Sequence, residues 1–179
     1  RRQRQMCIRD RSVPAWRRNG YAHYLGKLME RLGVRDRFRW LGRLSAEQMC
    51  SQFRKAHIFV CPSMIENESN SLGEAQMVGT PCIAAYAGGM MDSVSHGETG
   101  FLYRFEDAEL LAMQVCRLFG DMDLCRHVSS RGRRAALARR DRSANAEQLR
   151  RSYRDIAGDT ANGTDGREGG RKEDSPCSC

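Results

Sequence analysis

Two short runs, HIFVCPS at 57–63 and PCIAAY at 81–86, are apolar throughout instead of alternating. A strand with no polar face is buried on both sides, as in a parallel sheet covered by helices. Helical spacing fills the gaps between such runs. YAHYLGKLMERL at 21–32 repeats apolar residues at three- and four-residue intervals and ends before Gly33. RFRWLG at 37–42 predicts a short strand ended by Gly42. Ser45 with Gln48 predicts a capping box that opens a helix to about Lys55. A helix is predicted from Ser71 to Val78, closed by Gly79 with Pro81 beyond. After the Gly88-Gly89 loop come a turn and strand at 97–105, then helices at about 107–119, 123–139 and 143–156. This alternation predicts an α/β chain: a Rossmann-like parallel sheet with helices on both faces.

The 179 residues suffice for one domain with a core. No run reaches the roughly 20 apolar residues of a membrane span, and the expected location is cytoplasmic. Cys50, Cys61, Cys82, Cys116 and Cys125 stand singly in apolar segments, without C-x-x-C pairing. They are expected to be buried free thiols, not metal ligands or disulfides. The net charge of +8 is uneven: residues 44–100 carry two cationic and six anionic side chains. The basic excess lies toward the ends, with no aromatic residues interleaved for base stacking, so no nucleic-acid partner is expected. The basic helix faces at 126–142 read as solvated, with peripheral contact to an anionic inner membrane as the alternative.

Both ends differ from the middle. Met6-Cys7-Ile8-Arg9-Asp10 is what ATG TGT ATA AGA GAC encodes, a string resembling a transposase adapter used for sequencing libraries. Residues 1–11 are therefore expected to be an assembly artefact, with the natural gene continuing upstream, and they are left out of fold reasoning. Residues 12–156 form the predicted domain. Residues 157–179, rich in Gly and charge, predict a disordered tail.

The stretch SMIENESNSLGEAQMVGTP places Glu66 and Glu74 on either side of a helix start, just after an apolar strand. In a parallel sheet, ligands collect at the carboxyl ends of the strands. A helix N-terminus there offers N–H groups and the positive end of its dipole to an anion such as a phosphate. Asn70, Ser71 and Leu72 would present those amides. Carboxylates repel phosphate but accept hydrogen bonds from sugar hydroxyls, so the combination suits a sugar nucleotide. A second reading of Glu74 stands beside this one: Ser71-x-x-Glu74 is itself a capping-box pattern.

The ordered set Pro62-Ser63, Glu66, Glu74-Ala75, Gly79-Thr80-Pro81, Gly88-Gly89 and Gly97 to Gly100 resembles the nucleotide-sugar-binding half of GT-B fold glycosyltransferases, the retaining group 1 (family four) type. The turn Leu41-Gly42-Arg43 matches too, and the resemblance covers about 20–156. It implies a retaining glycosyltransferase moving sugar from a nucleotide diphosphate sugar to a glycan or lipid-linked acceptor, with no cofactor and no metal. It gives Glu66 the donor sugar near the reacting carbon as the catalytic residue, and Glu74 the ribose hydroxyls. The amides of Asn70, Ser71 and Leu72 would meet the diphosphate or sugar, and Gly42-Arg43 would lie near the base. The resemblance further implies an N-terminal acceptor domain, and an Arg and a Lys clamping the diphosphate. Neither has a counterpart before Tyr21. This chain is expected to be the donor-binding half, inactive alone. Between the glutamates, Asn67-Glu68-Ser69-Asn70-Ser71-Leu72-Gly73 replaces the family's Gly-Phe-Gly-Leu-Pro-Leu-Leu, leaving the sugar open.

Other features are read more plainly. Asp121-Met122-Asp123 predicts a helix cap instead of an Asp-x-Asp metal site. His96 is a turn histidine with a general-base reading as the alternative. The competing functions are a sugar-nucleotide epimerase on the same fold and a non-enzymatic basic module binding RNA or membrane.

Overall fold

The computed structural model describes residues 6–8 and 20–162, the side chains at 6–8, Ala22 and 159–162 excepted. The order is β1 (Met6–Ile8), α1 (Tyr21–Arg31), a 3-10 turn (Arg35–Arg37), β2 (Phe38–Trp40), α2 (Ala46–Lys55), β3 (Phe59–Cys61) and α3 (Asn70–Val78). There follow β4 (Cys82–Ala85), α4 (Met90–Ser93), β5 (Phe101–Tyr103), α5 (Ala108–Gly120), α6 (Met122–Arg139) and α7 (Arg142–Asn162). The chain divides into two compact units, residues 1–134 and 135–179.

In the first unit β3, β4 and β5 form a parallel sheet in that order, with Phe59 opposite Cys82 and Ile83 opposite Phe101. β1 and β2 form a separate parallel pair, Met6 opposite Phe38. β1 thus falls inside the stretch that the sequence sets aside. Its three apolar residues suit the pairing, which bears on conformation and not on the origin of the stretch.

β4 explains why an apolar-through strand was needed. All four of its residues are buried, and alternate residues enter different cores. Cys82 and Ala84 pack with Met49 and Phe53 of α2, Leu72 and Ala75 of α3, and Met90 of α4. Ile83 and Ala85 pack with Phe101, Tyr103, Leu118 of α5 and Val128 of α6. Helices therefore cover both sheet faces, as the periodicity predicts.

The local stop signals hold. Ser45 and Gln48 make both bonds of a capping box. Gly33 and Gly79 have φ of 63° and 93°, the left-handed conformation that ends a helix. Asp121 Oδ1 accepts the amides of Asp123 and Leu124 at 3.0 and 2.9 Å, so Asp121-Met122-Asp123 opens α6 as a cap. The thiols depart from expectation: Cys61 and Cys82 are buried, whereas Cys50 and Cys116 are exposed on the outer faces of their helices. Burial pushes the Cys82 thiol far above its ordinary range, with Cys61 adding to the shift, so it stays protonated.

The second unit contains the end of α6 and α7. α7 runs to Asn162, past the predicted end at 156 and into the predicted tail. Glu147 meets Arg151 and Arg154 at 3.3 and 3.2 Å, exposed pairs worth at most about 1 kcal/mol each. The rest of the tail (163–179), and residues 1–5 and 9–19, lie outside the described residues. Among the described residues no helix is long and apolar enough to cross a membrane.

Candidate functional site

The loop from Pro62 to Ser69 leaves the carboxyl end of β3 and enters α3. The first helical residue is Asn70, one earlier than predicted, and the N-cap is Ser69. Ser69 Oγ accepts the Leu72 amide at 3.3 Å and receives the Cys61 thiol at 3.5 Å. Cys61 also lies 3.8 Å from Ser63 Oγ, so the end of β3 is tied to the start of α3. Two expectations are thereby corrected. Ser71 sits inside the helix, so no capping box joins it to Glu74. The Leu72 amide is already engaged by Ser69 and is not available to a ligand. Ser69, which the sequence reading places in the loop before the helix, is the residue that caps α3.

Burial then sorts the helix into faces. Leu72, Gly73, Ala75 and Gln76 are buried, whereas Asn70 and Glu74 are exposed and Ser71 half-buried. Residues three and four apart share a helix face, and side chains lean toward the N-terminus. Glu74 therefore stands above Asn70 and Ser71, over the open end of the helix. The Ser71 amide has no acceptor among the described residues. Replacing Ser69 by Ala is expected to cost about 1 kcal/mol, because the buried cap is lost. Equilibrium urea unfolding measures this; no change would mean that another residue caps α3.

Glu66 is positioned from the neighbouring loop. The Gly89 amide donates to the Glu66 carbonyl at 3.2 Å. A Cβ on Gly88 would lie 1.9 Å from the Glu66 carbonyl oxygen, and one on Gly89 would lie 1.7 Å from that of Asn67. The β4–α4 loop thus rests on the backbone of the first glutamate, an approach that only glycine permits. Gly88 also has a φ of 50°.

Gly42 has a φ of 63° and is buried, whereas Arg43 is exposed. Leu44 beside them packs on the core cluster that contains Leu72 of α3. This puts the turn on the same side of the sheet as α3, without a hydrogen bond between Arg43 and the glutamates. His96 is tied into its own turn: Nδ1 accepts the Leu102 amide at 3.1 Å, and the ring meets Phe101 edge-on. Several α6 arginines are engaged within the protein: Arg126 with Asp123, Arg131 with Glu98 and Arg133 with the Met77 carbonyl.

The sequence profile of the family described as glycosyl transferases group 1 matches residues 18–135. The chain belongs to this family. Among curated relatives, it is 40% identical over 97 residues to the D-inositol 3-phosphate glycosyltransferase of Streptomyces avermitilis, covering 54% of this chain and 21% of that one. It is 27% identical to the N-acetyl-alpha-D-glucosaminyl L-malate synthase of Bacillus anthracis, covering 76% of this chain and 35% of that one. Among solved structures, Anabaena HepE in complex with UDP-glucose matches with a TM-score of 0.69 and 25% identity, over 75% of this chain and 37% of that chain. The C-terminal domain of a group 1 protein from Francisella tularensis shares the fold, with a TM-score of 0.59 and 20% identity, over 66% of this chain and 60% of that one. The group 1 chain described here therefore has the GT-B α/β architecture and spans about a fifth to a third of the length of the curated relatives.

Proposed function

We propose that this chain is the donor-binding half of a retaining glycosyltransferase, moving a sugar from a nucleotide diphosphate sugar to a glycan or lipid-linked acceptor. Glu74 accepts hydrogen bonds from the ribose hydroxyls, and Glu66 holds the donor sugar beside its anomeric carbon. The α3 N-terminus, through Ser71 and Asn70, faces the diphosphate. As the bond from the anomeric carbon to the diphosphate oxygen breaks, negative charge grows on the leaving group, where N–H donors and the helix dipole stabilise it. The Gly42-Arg43 turn approaches the base. No metal is assigned a role.

The observation that carries this reading is the cap. Ser69 holds the α3 N-terminus, so the exposed Glu74 is not committed to its own helix. That UDP-glucose is bound by Anabaena HepE supports the choice of probe. Calorimetric titration of the full 179-residue chain with UDP-glucose is expected to give a Kd below about 1 mM, roughly −4 kcal/mol. Incubation with that donor and no further polypeptide is expected to release no glucose and form no glycoside. Absence of binding by UDP-glucose and other nucleotide sugars would overturn the donor assignment, and turnover would overturn the assignment as an inactive half.

A further inference from the structure

α6 carries a glycine where a helix gains nothing from one. Gly132 lies in mid-helix, where glycine costs about 1 kcal/mol relative to alanine. Its reason is contact: an added Cβ would sit 2.7 Å from the Thr99 carbonyl oxygen. On either side of it, the same helix reaches the C-terminal end of α3. Ser129 Oγ donates to the Gly79 carbonyl, and Arg133 Nε donates to the Met77 carbonyl at 3.0 Å. These are carbonyls left open at a helix end, where a cation also complements the dipole. From the α3 side, the buried Gln76 donates to the carbonyls of Ser93 and Thr99 at 3.1 and 3.4 Å. Arg131 meets Glu98 of the same turn at 2.8 Å.

We infer that Ser129, Gly132 and Arg133 form a brace that fixes where α3 sits, and so are positioning residues for Glu74 and the α3 N-terminus. α3 is nine residues, a rod of about 13 Å, and its buried face is packed. Displacement of the 76–79 turn is transmitted along it to the ligand end. The brace touches no ligand; it acts through the helix. The inference rests on the donor-binding reading for its functional consequence, but not for its mechanical part.

The test uses the full chain with Arg133→Ala, Arg133→Lys and Gly132→Ala, followed by amide hydrogen exchange and UDP-glucose titration. In Arg133→Ala the hydrogen-bonded amides of Leu72 to Ala75 are expected to exchange about 5- to 10-fold faster. Those of Leu111 to Leu118 in α5 are expected to keep their rates. UDP-glucose affinity is expected to fall about 5-fold, because the binding-competent position of α3 is then only fractionally populated. Arg133→Lys is expected to recover part of both effects, and Gly132→Ala to reproduce them without removing a charge. Unchanged exchange at Leu72 to Ala75 overturns the brace, as does equal acceleration in α5. Faster exchange with unchanged affinity overturns its link to the donor site. Faster exchange in a chain whose parent binds no UDP-glucose leaves the brace standing and removes the donor reading instead.

Discussion

On the proposed donor site, Gly89→Ala is expected to weaken UDP-glucose binding selectively relative to UDP. The added methyl carbon would lie 1.7 Å from the Asn67 carbonyl oxygen and 2.9 Å from its carbon. Both are backbone atoms, so no side chain can rotate aside. The loops must part by more than 1 Å to restore ordinary contact distances (~3.4 Å). Parting them breaks the bond from the Gly89 amide to the Glu66 carbonyl. Overpacking of this kind costs about 1–3 kcal/mol of stability. The larger effect is on Glu66, whose backbone follows the displaced loop. Affinity for UDP-glucose is expected to drop, while UDP itself loses little, because Glu74 and the α3 end are untouched. Parallel titrations with both ligands measure the ratio. Gly120→Ala is the control, since its added Cβ meets nothing within 4 Å. A ratio preserved in Gly89→Ala would mean that Glu66 does not read the sugar.

Glu74→Ala is expected to lower UDP-glucose and UDP affinity alike, by about 10- to 100-fold. That corresponds to one charge-assisted bond at about 1.5–3 kcal/mol, with the second hydroxyl contact adding to it. Stability is expected to change by less than about 0.5 kcal/mol, as for exposed positions with no special contact. The pairing of these two outcomes separates the readings that the sequence left open. A capping glutamate would lose about 1 kcal/mol of stability and leave ligand affinity alone. A ribose-binding one does the reverse. Glu74→Gln keeps the acceptor oxygen but not the charge, and an intermediate affinity is expected. Thermal melting beside calorimetry decides the matter; a stability loss without an affinity loss would give Glu74 a structural role by a contact other than the capping box, and not a ligand-binding one.

The legible parts of this chain are those governed by a few neighbouring residues. Gly79 ends α3 because a left-handed residue is needed there, and Ser45 with Gln48 opens α2 because both bonds close within one turn. β4 was readable as buried on both faces because four successive apolar residues leave no polar side to turn outward. The choice among Ser69, Asn70 and Ser71 as cap was not readable, because all three are capping types. It is made by the Cys61 thiol at the end of β3 and by the burial of Leu72, neither of which is local. Gly88-Gly89 reads from sequence as a loop, and only the approach of two loops shows that its missing side chains leave room for the Glu66 and Asn67 carbonyls. Ser129 and Arg133 lie 50 and 56 residues from their α3 partners, so no spacing rule connects them. The sequence by itself determined most of the elements, β1 and α4 excepted, their alternation and the family, since periodicity, capping and motif order act within a few residues. The tertiary structure alone decided which amides are engaged, what presses on Glu66 and what braces α3, since those follow from strands and helices packing at contact distance.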